Sequence, residues 1–179
     1  MAWGEYPERR PGAHDHRRAL SRGTAHLQRF ADAAGAAAQV AEGEVPRELQ
    51  ALREQVPGSE AWLLRAVVLA ASALARTSGH APHRQQLLAA RVLLDDRLAE
   101  MATGEGKTGA IAIAAAVAAL ARTPVHVVTA NDYLAQRDAE RLRPFYESLG
   151  LRVDCVVQAM DAARRRTAYG ADIAYCTAK

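Results

Sequence analysis

The chain contains 23 basic residues, and only two of them are lysines, Lys107 and Lys179. Lys107 stands in the run Thr103-Gly104-Glu105-Gly106-Lys107-Thr108. Elsewhere positive charge is supplied by arginine, so a lysine between two glycine-flanked positions and a threonine asks for a chemical reason. A phosphate-binding loop supplies one. It needs a compact ammonium on a thin stem that can reach over the backbone to the β- and γ-phosphates, which a broad guanidinium does less well. Gly104 and Gly106 let the backbone approach an anion without a Cβ in the way. Convergent N–H groups of Thr103 through Thr108 and the positive end of a following helix would hold the phosphates, with Glu105 inside the loop. Lys107 would bridge the β- and γ-phosphates and the Thr108 hydroxyl would hold Mg²⁺. The longer GxxxxGK[ST] pattern is not complete, because Met101 stands where its first glycine would be.

The elements that must position this loop follow from periodicity and from Gly/Pro punctuation. A strand over 98–101 is expected to enter the loop and a helix over 108–122 to leave it. Strands are expected at 125–129, 151–157 and 172–177, separated by helices that run from Asn131 to about 149 and over 161–169. Strands spaced by helices imply a parallel sheet. Upstream, the pattern predicts helices over 19–41, 47–55, 60–76 (with Ser59 as N-cap) and 84–94. The expected organisation is a disordered stretch at 1–18, a helical segment at 19–81 and a partial nucleotide-binding domain at 82–179. The fold class is α/β: a helicase-like P-loop NTPase sheet, incomplete, and preceded by helices.

Composition narrows the function. Half the residues are hydrophobic but only 5% are aromatic, and the net charge is only +3 despite a pI near 9.1. Most arginine is balanced by acid, which argues against a specific nucleic-acid partner. Cys155 and Cys176 fall in separate expected strands with no CxxC or Cys/His cluster, so neither a metal site nor a disulfide is expected. The N-terminus reads as no signal peptide, the apolar run 109–121 is too short to span a membrane, and 61–75 is interrupted by Arg65. These features are those of a cytosolic chain.

Three segments taken together resemble one family. They are residues 99–108 (AEMATGEGKT), 125–140 (VHVVTANDYLAQRDAE) and 165–175 (RRTAYGADIAY). They are similar to the first nucleotide-binding domain of SecA, the ATPase that drives preproteins through the bacterial Sec channel. A methionine before the loop is ordinary in that family, and the wording of 100–108 with the short N-terminus leans toward the accessory SecA branch of actinobacteria. The resemblance implies ATP and Mg²⁺ as cofactors. It implies an unfolded preprotein and a SecYEG-type membrane channel as partners, with peripheral attachment at the inner face of the cell membrane. Dimerisation is left open.

By the same resemblance Gln86 stands where the family reads adenine. An amide can pair with the N6/N7 edge of that base, and the alternative is a solvent-facing helix glutamine. Thr129, Asn131, Asp132 and Arg137 fall where the family couples nucleotide to movement, and simple capping and solvation are an alternative compatible with that role. Asp138, Glu140 and Arg141 read as a solvated stripe, Arg164–Arg166 as a solvated helix face, and the apolar run ending in Asp95-Asp96 as a helix terminus. No strand ending in paired acids follows residue 108, so the chain is expected to stop short of the Walker B element, and turnover is not expected from these residues alone. Two other readings stay in view: a fragment of a DEAD-type nucleic-acid helicase, and a non-catalytic nucleotide-binding module.

Overall fold

The structure, a computed structural model, describes residues 14–178, with side-chain surroundings from residue 25 onward. Helices come first: α1 (His14–Ala37), a 3-10 turn (Glu42–Glu44), α2 (Val45–Arg53), α3 (Glu60–Ser78), α4 (Arg84–Leu94) and α5 (Lys107–Leu120). Alternation follows: β1 (Val125–Thr129), α6 (Asp132–Ser148), β2 (Val153–Cys155), α7 (Ala162–Tyr169) and β3 (Ile173–Thr177). Residues 1–13 of the stretch expected to be disordered lie outside the described residues, and α1 is already helical from His14.

The three strands form a parallel sheet in the order β1-β3-β2, with Val127 and Cys155 both in register with Tyr175. β3 is central, and its first four residues are buried. Val127, Val153, Ile173 and Tyr175 belong to the main core, which α5 and α6 close from one side. On the other side α7 contributes Ala168 to a small cluster with Val156 and Cys176. The Tyr169 ring lies 5.0 Å from that of His126. Tyr146 and Tyr175 share a buried hydroxyl–hydroxyl hydrogen bond of 2.9 Å, and burial pushes the Tyr175 phenol up to about 12.

Helix boundaries follow from local chemistry. The Ser59 side chain accepts from the Trp62 N–H and opens α3, where nine residues are buried. Such burial contributes about 1.5–3 kcal/mol for each large apolar side chain, such as Leu69. Arg65, the charge that interrupts α3, reaches Glu48 of α2 through two hydrogen bonds of 2.7 and 3.2 Å. By length and composition α3 alone among the described helices could cross a membrane, yet here it packs against α1, α2, α5 and α6. The Asp95-Asp96 pair sits at the end of α4, as a helix terminus, and its first acid pairs with Arg91.

One expected element does not form. Residues 97–102 carry no strand, and Leu98 is 94% exposed. A strand exists through its ladder, and this stretch has none. The Arg97 N–H is turned back to the Val92 carbonyl, and the Ala102 N–H goes to the Glu105 carboxylate.

Candidate functional site

α5 begins without a side-chain cap. Gly106, its N-cap residue, has φ +77°, and Gly104 has φ +89°, conformations open to glycine and strained for other residues. The first hydrogen bonds back into the loop are made by the Gly109 and Ala110 N–H groups, both to the Gly106 carbonyl. Among the described residues, the N–H groups of Gly106, Lys107 and Thr108 therefore have no protein acceptor. They lie at the positive end of a 14-residue helix, which is where an anion binds.

Two side chains brace the loop. The Glu105 carboxylate accepts the Ala102 N–H at 2.8 Å, and the Lys107 ammonium donates to the Ala102 carbonyl at 2.9 Å. Lys107 thus spans the loop, exposed, with two of its three protons free. Thr103 is exposed on the loop, and Thr108 is half-buried on the first turn of α5. The Thr108 hydroxyl has no hydrogen-bond partner among the described residues, so it is free to be a metal ligand.

Gln86 touches the loop directly. Its Oε1 accepts the His83 N–H at 2.7 Å and its Nε2 donates to the Gly106 carbonyl at 2.9 Å. The side chain therefore bridges α4 and the loop while remaining partly exposed. The approach is close: a Cβ added at Gly106 would fall 2.3 Å from Gln86 Nε2, and one at Gly109 2.6 Å. Beside this contact a cleft of about 580 Å³ is lined by Gly104, Glu105, Gly106, Thr108 and Gln86. Its far walls are the end of α3 (Leu74, Thr77, Ser78), the turn with His80 and His83, and α6 (Arg141, Leu142, Phe145). None of these wall residues is visible as a site residue in the sequence, because no local pattern tells that helices 30 residues upstream and downstream will meet the loop.

The residues after β1 form a second group. Asn131 caps α6, its side chain accepting the Leu134 N–H at 2.9 Å. Asp132 accepts the Gln158 N–H at 2.7 Å and the Thr177 hydroxyl at 3.2 Å. The Thr129 hydroxyl lies within 3.3 Å of the Asn131 and Cys176 carbonyls. These bonds knot the carboxyl ends of β1 and β3 to the loop after β2, the end of a parallel sheet where ligand-handling residues gather. Arg137 is exposed and pairs with Asp138 at 2.6 Å. The expectation of a solvated stripe at Asp138, Glu140 and Arg141 needs correction at Asp138 alone, which is only 8% exposed because the helical period turns it inward. Glu140 and Arg141 are exposed, and Arg141 also borders the cleft. Arg164–Arg166 are exposed, as expected for a solvated face.

Comparison with known proteins agrees with this geometry. Residues 10–179 match the SecA DEAD-like domain, a longer stretch than the three segments that carried the resemblance. The chain is 48% identical over 121 residues to the protein translocase subunit SecA 2 of Bordetella avium, covering 68% of this chain and 18% of that protein. It is 45% identical over 123 residues to that of Thermobifida fusca (69% and 16%) and 49% identical over 111 residues to the SecA of Mycobacterium avium (62% and 14%). Proteins named SecA 2 and SecA thus match at similar identity, and the lean toward the accessory branch gains no support from them. The matched region spans less than a fifth of each of these relatives. An uncapped helix start behind a glycine loop, a parallel sheet beside it and a match over nearly the whole chain lead to one conclusion: the chain belongs to the SecA DEAD-like domain family.

Proposed function

We propose that this chain is the ATP-binding part of a SecA-type motor that couples ATP hydrolysis to transport of preproteins across the membrane. The observation that carries the reading is the start of α5, where three backbone N–H groups beside Lys107 have no protein acceptor among the described residues. The triphosphate lies across them, with Lys107 leaving the Ala102 carbonyl for the β- and γ-phosphates. Gln86 exchanges its contacts for the adenine edge. The Thr108 hydroxyl would hold a magnesium ion, which would supply positive charge to the phosphate oxygens.

In this reading the partners are an unfolded preprotein and a SecYEG-type channel, with peripheral attachment at the inner membrane face. The knot at Thr129, Asn131 and Asp132, with Arg137 nearby, carries nucleotide state to the rest of the motor.

Calorimetric titration of Mg·ATP into the full-length protein and into its Lys107→Ala variant tests the site. Binding that depends on Lys107 is expected, and equal binding by both proteins would remove the loop from the mechanism. Phosphate release stimulated by an unfolded preprotein is expected of the full-length protein, whereas stimulation by RNA alone would turn the reading to a helicase.

A further inference from the structure

α6 carries three arginines, Arg137, Arg141 and Arg143, and two of them are occupied. Arg137 is held by Asp138 through bonds of 2.9 and 2.6 Å. Arg143 donates to the Val153 carbonyl at 2.9 Å, with Glu147 3.9 Å away. Arg141 has no ion-pair or hydrogen-bond partner among the described residues. The acids nearest it along the helix are already engaged: Asp138 by Arg137, and Glu140 by Gln136 at 2.9 Å. The acid on the cleft wall, Glu105, is turned back to the Ala102 N–H. Yet Arg141 lines the same cleft as Gly104, Gly106 and Thr108. A guanidinium offers several donors in a planar fork suited to phosphate oxygens, and here it stands without an acceptor across from a loop whose own donors are also free.

We infer that Arg141 is a second phosphate-contacting cation, supplied by α6 from the wall of the cleft that Gly104, Gly106 and Thr108 also line. The inference rests on the nucleotide-binding reading above and adds a residue and a role to it. The triphosphate is gripped between a point charge on the loop and a fork on α6. Nucleotide binding thereby draws α6 toward α5, and with it the Asn131–Asp132 knot at the start of α6.

The test is calorimetric titration of Mg·ATP and of magnesium triphosphate into the full-length protein and its Arg141→Gln, Arg141→Lys and Lys107→Ala variants. Arg141→Gln is expected to weaken both ligands by the same factor, about tenfold, the worth of one charge-assisted hydrogen bond. Arg141→Lys is expected to lie between it and the wild type. The thermal midpoint of Arg141→Gln should match the wild type, because Arg141 is exposed and holds nothing in the empty protein. ATP affinity unchanged in Arg141→Gln while Lys107→Ala loses it would overturn the inference and leave the binding site standing. A loss confined to ATP, with triphosphate unaffected, would also overturn it by moving Arg141 to the base. Failure of the wild type to bind ATP would remove the nucleotide reading, and this inference with it.

Discussion

α5 and α6 start in opposite ways. α6 is closed by its own chain: Asn131 accepts the Leu134 N–H, and Asp132 in the first turn is held by Gln158 and Thr177. α5 starts on a glycine in the left-handed region, with no side-chain cap and with N–H groups that have no acceptor among the described residues. Both helices carry the same partial positive charge at this end. At α6 the fold uses it internally to lock strand ends together. At α5 it is left for something outside the protein, and a nearly unique lysine stands beside it. The lesson is that a helix start becomes an anion site by what the chain withholds from it.

Substitutions can break that contrast in order of expected effect. Lys107→Ala removes the one mobile charge at the open end and should weaken Mg·ATP about a hundredfold, read by calorimetry. An affinity within a few-fold of wild type would mean that the open N–H groups suffice alone. Gly106→Ala should lower stability by about 1–2 kcal/mol in urea denaturation, the strain of a left-handed alanine. Its Cβ also meets Gln86, so adding Gln86→Ala should recover part of the loss but not all. Full recovery would show that the clash, and not the φ of +77°, sets the need for glycine.

Asn131→Ala opens the closed helix start. It should cost about 1 kcal/mol of stability and also weaken ATP a few-fold, because the knot it caps is the part that carries nucleotide state. Unchanged affinity at reduced stability would leave Asn131 a cap alone. The smallest effect is expected from Gln86→Ala, a few-fold weakening of ATP that exceeds the weakening of inorganic triphosphate. Equal loss for both ligands would restrict Gln86 to bracing the loop.

Much of this contrast is legible in the sequence because caps are local. Ser59 and Asn131 precede apolar-periodic runs at the spacing a cap requires, and both caps form. Lys107 is conspicuous by composition alone. The bounds of α4 follow from periodicity and from Asp95-Asp96 at its end. Pairing is not local, and there the reading of residues 98–101 as a strand fails. Four residues of suitable type become a strand only if a neighbour offers a ladder, and here the flanking N–H groups turn to Val92 and Glu105. Asp138 is hidden for a related reason. Its acid type suggests solvent, but its place on α6 points it inward, where Arg137 makes burial tolerable. The far wall of the cleft depends on how α3 and α6 pack across the loop, which no single segment encodes.

Trp62 gives the molecule an optical handle. Its indole is 1% exposed at the first turn of α3, and its ring N–H donates to the Leu52 carbonyl. An indole in such a dry site emits to the blue of one in water, so its emission reports whether α2 and α3 remain docked. The same helix ends at Leu74, Thr77 and Ser78 on the wall of the cleft. This fluorophore, held by packing and by the Leu52 carbonyl, thus watches one end of a rod whose other end borders the cleft.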